Sequence, residues 1–152
     1  MRYRWKKVLC ILLCASMCVG ITMMKAEATE SKKVWTFTQE ADSQGISPRW
    51  AQVLQIVFTL DFKNGNAIAT ASAMPRYGGV ETVVYAELLN DYKVSIASAT
   101  SSSWSTLGTE TDIIYPVESG RVYYVRATVT IKDSQGAVLE CVTKTSEGYI
   151  AK

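Results

Sequence analysis

The side chains that could perform acid–base chemistry are few and stand far apart in the sequence. The 152-residue chain contains no His, the residue that most often serves as general base or metal ligand. Its acidic residues stand singly, each on the predicted solvated face of a strand or in a turn. Examples are Asp61, Glu81, Glu87, Asp112 and Glu140. Phosphate-cradling glycine loops, nucleophile elbows and calcium-loop spacings are all missing. The sequence therefore predicts a non-enzymatic protein with no catalytic residue, metal site or cofactor, and leaves open a Ser-Lys or paired-carboxylate mechanism if the fold brings such residues together.

One cysteine remains as a candidate for thiol chemistry. Three of the four Cys lie within residues 1–28, so Cys141 stands alone in the rest of the chain. An unpaired Cys in an exported protein can form an intermolecular disulfide or act as a reactive thiol. Its position in a predicted strand, Leu139–Thr143, favours instead a small apolar residue that is buried and inert.

Four aromatic side chains are the best candidates for a binding site. They fall in or beside predicted loops, and they are Trp104, Tyr92, Tyr77 and Tyr115. Exposed aromatic rings can stack on sugars or anchor a protein partner, because they offer a large contact area with few rotatable bonds. The alternative is that each ring closes one end of the hydrophobic core.

The first 28 residues have the three parts of an export signal. Residues 1–7 carry four positive charges, residues 8–24 carry none, and Ala26-Glu27-Ala28 follows as a small-x-small cleavage pattern. This pattern predicts a helical signal peptide that is cleaved after Ala28, leaving a secreted protein. The alternative is an uncleaved membrane anchor formed by residues 8–24, which is close to the shortest run that can span a bilayer.

The balance of basic and acidic residues argues against nucleic acid as a partner. The whole chain has a formal charge of +2, but residues 29–152 contain 11 basic and 13 acidic residues. A nucleic-acid binder needs a basic surface to displace the phosphate counterions. The only predicted contact with a membrane is through the signal segment before cleavage.

The remaining chain alternates with the period of β-strands. From Trp50 to Phe62 six of the seven even positions are apolar, which is typical of a half-buried strand; a short helix over 48–55 is the alternative. Asn64-Gly65 then predicts a tight hairpin turn. In the return strand, Ala67–Met74, every odd position is Ala, so small side chains are predicted to face large ones.

Similar segments predict seven or eight strands joined by turns. A short strand is predicted over 93–99, and a serine-rich stretch that contains Trp104 follows it over 99–105. The pattern is typical of an all-β fold with a single antiparallel β-sandwich. Residues 29–47 are predicted to be an N-terminal arm or edge strand, with Lys33–Thr38 as the free edge, and residues 48–152 the sandwich domain.

Residues 120–129 (GRVYYVRATV) resemble the penultimate strand of immunoglobulin-like and fibronectin-like modules. Together with the signal segment, residues 65–71 (GNAIATA) and residues 103–107 (SWSTL), they also resemble small secreted proteins of Gram-positive Firmicutes that have no assigned function. The resemblance implies an immunoglobulin-like sandwich outside the cell, without implying any chemistry. The chain lacks the Cys pair and core Trp of true immunoglobulin domains.

These observations favour an exported binding or structural module that meets a protein or glycan at the cell surface. Two alternatives share the same composition: a secreted effector or inhibitor resembling a bacteriocin, and a carbohydrate-binding module. A free sheet edge offers a second mode of binding, because it can pair with another chain.

Overall fold

The computed structural model describes residues 32–38 and 51–152, which form two packed antiparallel sheets. The predicted export signal and the possible anchor lie outside these ranges. The strands of the described ranges are β1 (Lys33–Thr38), β2 (Val53–Lys63), β3 (Asn66–Pro75), β4 (Glu81–Leu89), β5 (Ser95–Ser103), β6 (Thr109–Pro116), β7 (Val122–Lys132), β8 (Val138–Thr145) and β9 (Tyr149–Ile150). In this part of the chain no helix has the length and apolarity that a membrane span requires.

The strand order identifies a Greek-key sandwich. The first sheet has the order β1-β2-β3-β6, the second has the order β5-β4-β7-β8, and β9 pairs with β7. The chain crosses between sheets after β3, β5 and β6, so β3 pairs with β6 and β4 pairs with β7. Connections that cross between the two sheets in this way are typical of antiparallel β-sandwiches. The predicted all-β sandwich is therefore confirmed, with nine strands in the described ranges rather than the predicted seven or eight.

The β2–β3 hairpin shows how the sequence builds the core. Asn64 and Gly65 have φ angles of 52° and 74°, the left-handed values that a two-residue turn requires. The register that follows places Phe58 opposite Ala71 and Leu60 opposite Ala69, all of them buried. The small side chains leave room for large ones to interdigitate with the second sheet. Burying a side chain the size of Phe58 stabilises the fold by about 2–3 kcal/mol.

The start of β2 departs from the predicted alternation. The register shifts between Val53 and Gln55, so Leu54 has no cross-strand partner and is 40% exposed. A β-bulge of this kind inserts one residue and changes the side to which the neighbouring side chains point. The prediction that Leu54 shares the core face of β2 is therefore wrong. Residue 50 lies outside the described ranges, and β2 rather than a helix begins at Val53.

The serine-rich stretch is strand rather than loop over most of its length. β5 continues to Ser103, which pairs with Thr82 of β4. Ser and Thr are tolerated there because β5 is an edge strand, and their hydroxyl groups on its outer face stay in water. Trp104 is consequently the first residue of the β5–β6 loop.

Candidate functional site

The two ends of the sandwich each carry two of the four candidate aromatic residues. Loops 76–80, 104–108 and 133–137 lie at one end, which we call the Trp104 end, and it contains Tyr77 and Trp104. Loops 64–65, 90–94 and 117–121 lie at the other end, the Tyr92 end. Tyr92 lies in one of those loops, whereas Tyr115 lies on β6 and pairs with Ala67. The fold therefore does not bring the four rings together into one site.

All four aromatic side chains are exposed, but in different surroundings. Trp104 and Tyr77 are 53% and 59% exposed, and Tyr92 is 77% exposed. The Trp104 end also carries Leu107. Its side chain is 83% exposed, the highest exposure of any large apolar side chain in the described ranges. Sequence reasoning missed Leu107. The available signal was a large apolar residue between Thr106 and Gly108, in a loop that is otherwise polar.

Hydrogen bonds within the β5–β6 loop hold Trp104 and Leu107 in place. The Ser105 N–H donates to the Ser103 hydroxyl at 2.9 Å, and the Leu107 N–H donates to the Ser105 hydroxyl at 3.1 Å. The Gly108 N–H then donates to the Ser105 carbonyl at 3.1 Å, which closes the turn. Serine side chains form such local turns readily. Trp104 and Leu107 are therefore presented to solvent by an ordered loop.

The same loop is fixed to the body of the sandwich and to the neighbouring loop. The Thr109 hydroxyl donates to the Thr82 carbonyl at 3.0 Å in a buried position. A Cβ atom added at Gly78 would lie 3.1 Å from the Thr106 methyl group, so loops 76–80 and 104–108 pack against each other. The Arg76 N–H donates to the Gln52 carbonyl at 2.7 Å. The loops at this end therefore form one supported surface.

A small pocket opens beside Leu107 on the outer face of the first sheet. Its volume is about 200 Å³, and its walls include Val57, Met74 and Leu107. The amide of Gln55 and the carboxylate of Glu110 are its larger polar groups. Typical sites for drug-sized ligands measure roughly 300–1,000 Å³, so this pocket can accept one ring or one side chain of a larger ligand.

The acidic residues that might have carried catalysis have structural partners instead. Asp61 pairs with Lys63 at 2.9 Å, Asp112 accepts a hydrogen bond from Thr70 at 2.6 Å, and Glu81 lies 3.7 Å from Lys132. Among the described residues no group of three His, Cys, Asp or Glu side chains is placed to hold a metal ion. Each of these three acids therefore has an ion-pair or hydrogen-bond partner within the sheets, and Asp61 is buried.

Glu87 and Arg126 form the best-defined ion pair of the outer face of the second sheet. The guanidinium donates to both carboxylate oxygens, at 2.7 and 3.0 Å, and the Glu87 side chain is only 10% exposed. Hydrogen bonding to Arg126 lowers the pKa of Glu87 below its ordinary value of 4.5, against the opposing effect of burial. The bidentate geometry therefore favours the ionised carboxylate in the folded state.

We expect Glu87→Gln to destabilise the protein in a pH-dependent way. Because the folded-state pKa lies below the unfolded one, the pair stabilises the fold above about pH 4.5 and loses this contribution as the pH falls through the folded-state value. At pH 7 the expected loss is about 2 kcal/mol, for two charge-assisted hydrogen bonds. Urea unfolding at pH 7 and pH 3 measures it. A difference between the two proteins that stays constant with pH would contradict the assignment, and Glu110→Gln, at an exposed acid, is the control.

Glu140 joins the two sheets rather than facing solvent. Its carboxylate accepts hydrogen bonds from the backbone N–H groups of Ala51, Gln52 and Val53, at 2.8, 2.9 and 2.9 Å. These residues lie just before and at the start of β2, in the first sheet, whereas Glu140 belongs to β8 of the second. Glu140 therefore anchors the start of β2 across the open side of the sandwich.

The expectation that Cys141 is buried is wrong. Its side chain is exposed, and the Thr130 hydroxyl donates to its Sγ at 3.8 Å on the outer face of the second sheet. The sequence pattern placed Cys141 correctly in a strand. However, the apolar inner face of β8 passes through Val142, and neighbouring residues of a strand point to opposite sides.

Comparison with known proteins adds little to this geometry. No protein-family model matches the chain, and no curated protein matches it. Among solved structures the chain is similar to an endonuclease/exonuclease/phosphatase from Beutenbergia cavernae, with 19% sequence identity and a TM-score of 0.38. The match covers 75% of this chain and 27% of that one, so the chain spans well under half of the protein it matches. A likeness this weak carries no argument about activity, and the Trp104 end is the candidate site on its geometry alone.

Proposed function

We propose that this protein is an exported, non-enzymatic binding module that holds its partner, a protein or glycan at the cell surface, through the Trp104 end. The observation that carries the proposal is the exposure of Trp104 and Leu107 on a loop that is hydrogen-bonded internally and packed against loop 76–80. Large apolar side chains held in water by an ordered loop lose little conformational entropy when a partner covers them.

Export is supported by the sequence of residues 1–28, with its basic start, uncharged run and small-x-small end. The absence of enzymatic activity is supported by the structural partners of the acids, which place Asp61, Glu87 and Glu140 in ion pairs or backbone contacts. A secreted effector or inhibitor remains the alternative, and it would use the same surface against an enzyme or a competing cell.

Among the possible partners, a glycan is favoured by the pocket beside Leu107. Sugars present hydroxyl groups around apolar C–H faces. The pocket offers an amide at Gln55 and a carboxylate at Glu110 next to apolar walls. A chain of sugars could place one ring in the pocket while others stack on the exposed rings of Trp104 or Tyr77.

Substitutions at the Trp104 end should weaken binding without disturbing the fold. We expect Trp104→Ala and Leu107→Ser, each made separately, to weaken binding of the protein to a surface polymer by at least tenfold. An anchor residue contributes about 2 kcal/mol or more to the free energy of binding. The measurement is the fraction of protein retained by purified cell wall and by insoluble cellulose, xylan and chitin, as a function of polymer concentration.

Tyr92→Ala is the matched control, because it removes an aromatic ring that is still more exposed, at the opposite end of the sandwich. Binding that is lost equally in the Tyr92 and Trp104 variants would show that the Trp104 end is not the site. Retention by none of the polymers would remove the glycan proposal and leave a protein partner.

A further inference from the structure

The four sheet edges differ in how they resist pairing with another chain. On β6, Glu110 and Asp112 place exposed charges on the outer face. On β8, Glu140 and Lys144 place charges on the inner side of an edge strand. Charges of this kind discourage a further strand from adding. β5 carries no charge, but its Ser, Thr and Ala side chains offer little area for packing across strands.

β1 carries one such charge, Lys33, at its first position, and it has large side chains after it. After Lys33 its residues are Val-Trp-Thr-Phe-Thr, without charge, proline or bulge. Its outer edge has no partner strand among the described residues. Trp35 and Phe37 pack against the core while remaining partly exposed. β1 is therefore the edge where both free backbone groups and large apolar side chains are available.

The hairpin geometry shows which backbone groups of β1 are free. A two-residue turn makes Lys63 and Asn66 a hydrogen-bonded pair, and such pairs alternate along an antiparallel ladder. The odd residues of β2 therefore bond to β3, and the even residues bond to β1. Since Trp35 lies opposite Phe58, the N–H and C=O groups of Lys33, Trp35 and Phe37 point to β2. Those of Val34, Thr36 and Thr38 point to the open edge.

We propose that β1 pairs with β1 of a second copy, antiparallel about a two-fold axis at Thr36. This register bonds Thr36 to Thr36 and Val34 to Thr38, which are the residues with free backbone groups. It also places Trp35 opposite Phe37 twice, and such aromatic cross-strand pairs stabilise a sheet. The two four-stranded sheets then continue as one sheet of eight strands.

The charges flanking β1 select a second copy over an arbitrary peptide. Lys32 and Lys33 precede the uncharged core of the strand, and in the sequence Glu40 and Asp42 follow it. Along the sequence this order runs from basic to acidic, and such an order favours an antiparallel over a parallel partner of the same sequence. The segment is thus complementary to itself, as an isologous two-fold interface requires.

This dimer goes beyond the proposed function and uses a different surface. It would carry two Trp104 ends in one particle, and so raise the avidity for a polymer that presents many sites. The two proposals can fail separately. Loss of dimerisation leaves the single-site affinity of the Trp104 end unchanged, and Trp104→Ala leaves the dimer unchanged.

The test replaces Thr36 by Pro in protein expressed from the full 152-residue sequence. Proline removes one N–H that faces the open edge and none that bonds to β2, so β1 can remain in its sheet. Thr36→Val, which keeps the N–H, is the matched control. Sedimentation equilibrium up to about 100 µM, a range in which modest interfaces assemble, gives the dimerisation constant. We expect dimers of the parent and Thr36→Val proteins, and at least tenfold weaker association of Thr36→Pro.

A covalent trap provides a second test that does not depend on how β1 tolerates proline. In a Cys141→Ser background, Thr36→Cys should form a disulfide-linked dimer on mild oxidation at least tenfold faster than Thr143→Cys, which is exposed on the outer face of the second sheet. Directly opposed residues at a two-fold axis lie about 5.5 Å apart, within the span of a disulfide. A monomeric parent protein, or equal rates at the two positions, would overturn the proposal.

Discussion

Gly108→Ala is expected to lower the free energy of unfolding by about 2–5 kcal/mol. Gly108 has a φ of 95°, a conformation that costs a residue with a Cβ atom roughly 1–2 kcal/mol. Its added Cβ would also lie 2.2 Å from the Ala73 carbonyl oxygen, an atom of the β3 backbone. That contact can be relieved only by moving the loop away from the sheet, a further cost of about 1–3 kcal/mol.

Urea unfolding of Gly108→Ala beside Gly136→Ala separates the two causes. Gly136 has a φ of 82°, but an added Cβ there would meet nothing within 4 Å. Its substitution should therefore cost only the conformational term, about 1–2 kcal/mol. Equal losses in the two variants would mean that the close approach of Gly108 to β3 is not present in solution. Because Gly108 also closes the loop that presents Leu107, residual folded protein should bind its partner more weakly.

Glu140→Ala is expected to destabilise the protein by about 3 kcal/mol. The substitution removes the acceptor of three backbone N–H groups, and hydrogen bonds to a charged group contribute roughly 1.5–3 kcal/mol each. We count only the Gln52 and Val53 donors, at about 1.5 kcal/mol each, because the Ala51 N–H is exposed and water can replace its partner. The donors of Gln52 and Val53 are partly buried and are less easily hydrated.

Two further variants make this prediction specific. Glu140→Gln should be intermediate, because its single carbonyl oxygen can still serve Gln52 and Val53, while its amide group faces a third donor. Glu110→Ala removes an exposed acid from β6, and should change stability by no more than about 0.5 kcal/mol. The stability of each variant is measured by thermal unfolding followed by circular dichroism. Were Glu140→Ala as stable as Glu110→Ala, the link between β8 and the start of β2 would contribute nothing.

The two predictions concern different parts of the sandwich and different physical terms. The Gly108 prediction rests on a steric clash of the added Cβ atom at the point where the β5–β6 loop contacts β3. The Glu140 prediction rests on satisfying backbone N–H donors at the start of β2, where β3 pairs with Val53 but, among the residues described, β1 pairs with β2 only from Gln55 onward.

Features that depend on neighbouring residues could be predicted from the sequence. The Asn64-Gly65 turn requires left-handed backbone at two successive positions, and few residue pairs other than Asn-Gly favour it. The turn then sets the register, and with it the pairing of Phe58 and Leu60 with alanines. The all-β sandwich follows from repetition of such short alternating segments, because each must bury one face against another sheet.

Features that depend on contacts across the sandwich were decided only by the tertiary structure. The bulge that exposes Leu54 lies at the place where Glu140, 87–89 residues away, binds the start of β2. Tyr77 and Trp104 lie at the same end of the sandwich because β3 and β5 both end there. No local sequence pattern shows which strands end at the same side of the fold. The sequence by itself determined the strands, their alternation and the hairpin. The pairing of distant segments decided three other features: which loops form the Trp104 end, the exposure of Cys141 and the role of Glu140. Such pairing depends on how the two sheets pack and not on the residues adjacent in sequence.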